Sequence, residues 1–521
     1  MDRETLIRES RSEDLLQPLG FVTDAGRQRF SQQLRFFTSN VGILQRRQDT
    51  ILTMRKTLES DPKTDTVLEA LFEDIHAKEA EIQTFFTKTQ VEKNSYEQLL
   101  FSGWPSLQIL NTIPFLLLAF AFFKQYIVPA LAVFTPLFVL IMPYIVLKYW
   151  YRLPLSTDQY TQILMGMVGL QSLDLKNPRA IVQGSLTLFS IVQSVYQPIQ
   201  TAIHLQTIQQ EILQKAQAVQ TIVRHMKVLL KSMPSRFQNP LEDLESEDLS
   251  RLFASVWDHP QRLRMALMCI GDCEVVYRLA KASRLTPVRL VQGSQPFLYI
   301  LNGIDPFLSD PVPFTLSLTQ NHHSILTGPN KGGKSSVLRS TLLSVVCAQT
   351  FGMGFLGSEG SFRLRPFDWI ATGLHVEDRP GSQSLFESEV EFAIQILQRA
   401  THYPEQIGFV LFDELFHSTN PPDGARTADI FLQKLWNHKT VASFISTHVF
   451  DLAKKAHPHI QRLCVPAQKD ENGDLTFCYK LQEGICEVSS VDLILKEKGL
   501  LSAAKCISGK PEREGGNERV E

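Results

Sequence analysis

The chain of 521 residues carries almost no net charge: 52 Lys and Arg stand against 54 Asp and Glu, a formal −2. That balance excludes the global cationic footprint by which a whole chain grips nucleic acid, so any such contact needs a local basic face or a partner. Cysteine is sparse too. The seven thiols, at 269, 273, 347, 464, 478, 486 and 506, are odd in number and contain no C-x-x-C pair, which argues for reduced, mostly buried residues of an intracellular protein and against a disulfide framework. Cys269 and Cys273 share a helix face without a nearby histidine, so packing outranks metal binding. The first twenty residues, MDRETLIRESRSEDLLQPLG, lack an apolar run, which excludes an ordinary secretory signal there.

What is present is organised around Leu326–Ser336, LTGPNKGGKSS. Gly328, four residues, then Gly333, Lys334 and Ser335 fit the phosphate-binding pattern G-x-x-x-x-G-K-[ST], which arises by chance in a chain of this length about 2% of the time. Ser324-Ile325-Leu326 reads as a buried strand before it. Ser335–Gln349 reads as a helix after it, with Val337, Leu338, Leu342, Val345 and Val346 apolar. A strand, a glycine-rich turn and a helix N-terminus present backbone N–H groups to phosphate oxygens, and the glycines allow close approach. The expected nucleotide contacts are Gly328, Pro329, Asn330, Lys331, Gly332, Gly333, Lys334, Ser335 and Ser336. Lys334 would reach the β/γ-phosphates of ATP and Ser335 would hold Mg²⁺.

Around this stretch the chain divides into five expected segments. Residues 1–103 alternate charged and apolar positions at helical spacing, as in Val67, Leu68, Leu71, Phe72 and Ile75. Residues 104–152 contain a run, Leu107–Leu147, whose single charge is Lys124. Lys124 splits it into spans of 17 and 22 residues, roughly 26 and 33 Å as helices, which brackets a bilayer core. Trp104 and Lys148-Tyr149-Trp150-Tyr151-Arg152 flank it as an interfacial belt would. A two-span transmembrane hairpin is expected, multi-pass, with both flanks and the phosphate-binding domain on the cytoplasmic side. A buried helical hairpin and a re-entrant segment, given Pro114, Pro129, Pro136 and Pro143, are the alternatives. Residues 153–285 return to helical patterning, with a stripe from Leu205 through Ile208, Ile212, Ala216, Val219, Val223 and Met226 to Leu230. Residues 286–505 alternate strands and helices, and 506–521 form a charged, Gly-containing tail expected to be disordered. The fold class is therefore an α/β phosphate-loop domain at the C-terminus, preceded by an all-α region.

Three further stations follow the phosphate loop. Gly381–Glu389, GSQSLFESE, opens an amphipathic helix. Phe409–Glu414, FVLFDE, is an apolar strand ending in two acids. Phe444–His448, FISTH, is a strand ending in histidine. Beside bound Mg·ATP, Asp413 can order the metal and Glu414 can activate the attacking water. His448 stands where it could sense the γ-phosphate. Leu463–Leu481 reads as a β-hairpin about Asp470-Glu471-Asn472-Gly473.

The order TGPNKGGKSS, SLFESE, FVLFDELFHSTNPPDGARTA, ISTHVFDL over residues 286–490 resembles the ATPase domain of the MutS mismatch-repair family, within the wider ABC-type ATPases. The resemblance implies a homodimer in which Ser384 reaches across to the γ-phosphate held by the other subunit and Asp423-Gly424 lies in a dimer-facing loop. It implies that Ser335 and Asp413 serve Mg²⁺, Glu414 serves hydrolysis and His448 senses nucleotide, and it makes DNA a partner. Ile270–Ala280 resembles the family's last core helix. Short, membrane-spanning members are the nearest likeness.

The sequence departs from the family pattern where DE-hydrophobic-G-R-G-T becomes Asp413-Glu414-Leu415-Phe416-His417-Ser418-Thr419, losing both glycines and the arginine. Position 336 is Ser where Thr is usual. No G-x-F-Y-E wedge is present, and about 285 residues before the ATPase are too few for the complete set of DNA-reading domains. Rival expectations are a membrane-anchored mechanochemical ATPase with no DNA substrate and a nucleotide-gated scaffold with slow turnover. A transporter subunit is disfavoured because no L-S-G-G-Q stretch occurs.

Overall fold

The computed structural model describes residues 3–101, 105–167, 178–234, 237–244, 248–374, 384–457, 459–469, 475–488 and 495. The chain forms two compact units. The first joins Met1–Phe21 and Arg27–Ser60 to Val275–Glu521, and the second comprises Val22–Gly26 and Asp61–Glu274.

In the first unit a mixed sheet is built from β1 (Leu285–Pro287), β2 (Arg289–Leu290), β3 (Leu298–Gly303), β4 (Phe314–Leu318) and β6 (Met353–Leu364). A six-stranded sheet holds β5 (His323–Thr327), β7 (Trp369–Gly373), β8 (Gly408–Phe412), β9 (Val441–Ser446), β10 (Gln461–Cys464) and β13 (Gln482–Glu483). Its order is β13-β10-β5-β9-β8-β7, parallel except for the β10–β13 pair. The residues of β5, β7, β8 and β9 are all buried, as strands are when helices cover both faces of a parallel sheet. Ile325, Val410, Phe412 and Ile445 pack with Ala393 and Ile396 of the helix Leu385–His402 and with Phe431 and Leu432 of Pro421–Leu435. Each of the Ile, Val, Leu and Phe side chains among them contributes about 1.5–3 kcal/mol by leaving water. β11 (Ala467–Lys469) and β12 (Leu475–Phe477) pair antiparallel, which is the expected hairpin; its turn, 470–474, lies outside the described residues.

The helix Lys334–Phe351 is buried over nearly its whole length. The N-terminal helices belong to its surroundings: Phe30 stacks on Phe351 with ring centroids 5.6 Å apart, and Arg47 Nη1 donates to the Thr350 carbonyl at 2.6 Å. No pattern in the sequence pairs these stretches, which lie some 300 residues apart.

In the second unit the helix Pro178–Ser232 runs 55 residues and packs on Pro62–Ile82 and Leu249–Asp258. The expected stripe is its buried seam as far as Met226, but Leu229 rather than Leu230 is buried at the end.

The two-span hairpin is not what the chain forms. From Pro114 to Trp150 the backbone is one continuous helix, with wider turns at Phe123–Ile127 and Val146–Trp150. Lys124 does not end it, because a single charge breaks hydrophobicity without breaking backbone hydrogen bonding. Its ammonium sits 5.5 Å from the Phe120 ring centroid. The first wider turn contains Gln125, whose carbonyl a regular turn would press against the Pro129 ring. The helix returns not on itself but against Pro178–Ser232, where Gln125 bonds the Leu205 carbonyl and Gln209. Among the described residues a single helix, Pro114–Pro136, has the length and apolarity to cross a membrane. The multi-pass, two-span localisation is thereby overturned. Trp104, one end of the expected interfacial belt, lies outside the described residues.

Candidate functional site

The phosphate loop leaves β5 at Thr327 and enters the helix at Lys334, one residue earlier than the sequence periodicity places it. Gly328 has φ +152° and a Cβ there would stand 2.8 Å from the Val465 carbonyl oxygen, while Gly333 has φ +96° at the helix N-cap. Both conformations suit glycine alone. No side chain caps this helix, so the positive end of its dipole is directed into the loop.

Lys334 is 5% exposed, and its ammonium donates to the carbonyls of Gly328 and Pro329 at 3.1 Å each. Burial pushes its pKa below the usual lysine value, opposed by the charges of Glu414 and Asp413. A cavity of about 500 Å³ is lined by Pro329 through Val337, with Glu414, Tyr479, Leu308 and Val312 around it. The expected loop contacts from Pro329 to Ser336 line this cavity, whereas Gly328 does not and meets it only through the bond its carbonyl accepts from Lys334.

The acid pair comes from β8, which is separated from β5 by β9. That intervening strand supplies a residue the sequence reading passed over. Ser446 Oγ donates to Asp413 Oδ1 at 2.5 Å and accepts from the Glu414 N–H at 3.0 Å, so one hydroxyl fixes both acids. Glu414 has φ +55°, and its Oε1 lies 2.7 Å from His448 Nε2, with the two side chains 40% and 36% exposed. The bond from His448 holds the Glu414 pKa below the ordinary carboxylate value, against the opposing effect of burial. Glu414 is therefore ionised at neutral pH, as a proton acceptor must be.

The altered turn after the acids has its own closure. Phe416 keeps a left-handed backbone, φ +53°, at a position where the family pattern has glycine. Its ring is 5% exposed, with edge contacts to Phe386 and Phe431 at 6.3 and 6.1 Å. Ser418 Oγ donates to Glu389 at 2.5 Å, and His417 Nδ1 lies 3.2 Å from the same carboxylate.

Ser384 stands apart from the cavity. It caps the helix Leu385–His402, accepting the Glu387 N–H at 3.2 Å, while Glu387 accepts the Ser384 N–H at 3.0 Å. Gly381, Ser382 and Gln383 lie outside the described residues. Asp423 and Gly424 fall in the first turn of Pro421–Leu435, capped by Asn420. Tyr479 also went unread: its ring passes 3.3 Å from where a Gly333 Cβ would be, forming a wall of the cavity. An aromatic residue after a hairpin carries no spacing that marks it.

Ser335 lines the phosphate-loop cavity, and Asp413 lines a smaller cavity of about 190 Å³ that shares Glu414 with it. The Ser335 hydroxyl and Asp413 carboxylate are hard oxygen ligands of the kind that hold Mg²⁺ beside substrate phosphates.

A strand, a glycine loop and a buried lysine, facing acids held by the adjoining strand of a parallel sheet, define an α/β domain of the phosphate-loop class. Residues 324–497 match the family described as MutS domain V. The chain is 29% identical over 268 residues to the DNA mismatch repair protein MutS of Streptococcus uberis, covering 49% of this chain and 31% of that protein. Against the protein of the same name from Treponema pallidum the identity is 27% over 288 residues, 52% and 31% of the two chains. Against the DNA mismatch repair protein Msh6 of Gallus gallus it is 29% over 272 residues, 46% and 20%. The chain thus spans under a third of the length of these relatives.

Proposed function

We propose that this domain binds Mg·ATP and hydrolyses it to ADP and phosphate. The observation that carries the reading is that Lys334, from the helix after β5, and Glu414, from the end of β8, line one cavity. The loop amides and the Lys334 ammonium bind the phosphate oxygens, exchanging the lysine's carbonyl partners for anionic ones. Ser335 and Asp413 would hold Mg²⁺, which supplies neutralisation of charge on the phosphates. Glu414 takes the proton of a water that attacks the γ-phosphorus as the bond to the bridging oxygen breaks. His448 orients the Glu414 carboxylate, and Ser446 keeps the two acids in register. Tyr479 and Leu308 offer apolar surface to the nucleotide's base.

The working form is a dimer in which Ser384 of one copy faces the nucleotide of the other, and the task is DNA-linked, as the names of the DNA mismatch repair relatives suggest. The direct test is Mg·ATP binding and turnover by the full chain. Lys334→Ala should lose nucleotide affinity by at least tenfold, and Glu414→Gln should bind ATP but stall hydrolysis. No affinity at millimolar Mg·ATP, or full turnover by the Glu414→Gln protein, would sink the proposal.

A further inference from the structure

The first helix, Arg3–Ser10, carries a buried carboxylate for which the reaction as described has no use. Glu9 is 5% exposed. The Thr372 hydroxyl donates to its Oε2 at 2.6 Å, and the Leu374 N–H donates to the same oxygen at 3.1 Å. Thr372 and Leu374 flank Gly373, the last residue of β7. The Gly373 carbonyl in turn accepts the Asp413 N–H at 3.3 Å. Gly373 has no slack: a Cβ there would lie 2.4 Å from the Phe412 ring. Gly373 and Leu374 also form a wall of a cavity of about 190 Å³ bounded by Asp413, Glu414 and the turn to His417.

We propose that Glu9 is a positioning residue for the catalytic acids, clamping the end of β7 on both sides of the one carbonyl that holds the Asp413 amide. The physical case is that a buried carboxylate needs donors, and the Thr372 hydroxyl and the Leu374 amide at β7's exit supply two charge-assisted bonds that converge on one oxygen. Loosening them frees Gly373 to move, and Asp413 follows through its backbone bond and through Phe412. The phosphate loop is insulated from this, since it hangs on β5, three strands away across β9 and β8. The N-terminal helix would thus govern hydrolysis without governing nucleotide affinity. This inference rests on the hydrolase reading above.

The test uses the full chain with Glu9→Gln, which keeps the shape and removes the charge, and with Glu9→Ala. Steady-state kcat and KM for Mg·ATP are measured beside the Kd of a fluorescent ATP analogue, and amide hydrogen exchange is followed in peptides covering 369–374, 408–416 and 323–340. Glu9→Gln should lower kcat at least fivefold with KM and Kd within twofold of wild type, and exchange should quicken at 369–374 and 408–416 but not at 323–340. If Glu9→Ala fails to fold, Glu9→Gln alone decides. A Glu9→Gln protein matching an active wild type in kcat and in exchange overturns the role, as does one losing affinity and turnover together. A wild-type chain that turns over no ATP overturns the hydrolase reading itself, a result distinct from either.

Discussion

Glu414 and His448 set the residue-scale expectations. Because the His448 bond depresses the Glu414 pKa, the carboxylate stays ionised to a lower pH than an ordinary glutamate. A general base works in its ionised form, so His448→Ala should move the acid limb of the kcat profile to higher pH as the Glu414 pKa rises. A limb that stays in place would remove His448 from this role. The same depression stabilises the fold above the ordinary carboxylate range and loses that contribution as pH falls through the lowered value. Phe416 poses a different balance. A left-handed backbone costs a side-chain-bearing residue about 1–2 kcal/mol, whereas emptying a buried Phe site costs about 3–5 kcal/mol. Phe416→Gly, although it restores the family's residue, should therefore lower stability by about 2 kcal/mol in denaturant unfolding. A gain in stability would mean the ring's packing contributes less than its backbone strain. The sequence made the glycine's loss visible but not its remedy, since φ +53° is retained and the ring fills space between Phe386 and Phe431.

At the scale of elements, β5 and β9 share a buried imidazole. His323 Nδ1 lies 2.9 Å from Ser443 Oγ, and burial pushes its pKa down to about 3. An unfolded chain would protonate this group near its ordinary value of 6.5, so stability falls as pH drops from there toward 3, by about 1.4 kcal/mol per unit. His323→Asn should flatten that part of the pH–stability curve measured by urea midpoint, and an unchanged slope would mean other groups dominate it. Elements whose signal is local were legible in advance: the strands ending at Phe412 and Ser446 are short, apolar and followed by polar punctuation. The helix Pro114–Trp150 reads as two spans from sequence because one lysine and several prolines imitate a turn, whereas the backbone absorbs them in a wider turn near Pro129. Contacts such as Glu9 with Thr372, 363 residues apart, leave no periodic trace in either segment.

For the whole molecule, the proposed dimer gives the most discriminating expectation. Ser384 caps its helix and is not among the residues lining the cavity of its own chain, and in the proposed dimer it serves the nucleotide of the other copy. Lys334→Ala disables a chain's own phosphate loop, and Ser384→Ala would disable only what that chain offers its partner. Each variant alone should be inactive. In a mixed dimer, the Ser384→Ala chain keeps a working loop and meets an intact Ser384 from the Lys334→Ala chain, so one of its two sites is whole. Random mixing at equal concentration places half of the dimers in this state, and turnover should recover to about a quarter of wild type. Mixtures as inactive as the separate variants would break the dimeric part of the proposal while leaving the Mg·ATP site standing. The DNA-linked part is read independently. A repair-type contact made through phosphates should weaken with salt, log K falling by about 0.9 per phosphate for each tenfold rise in salt concentration. With a net charge of −2 the chain as a whole contributes no attraction, so a slope of several phosphates would have to come from a concentrated basic face. No DNA binding at about 50 mM salt would confine the function to the nucleotide cycle itself.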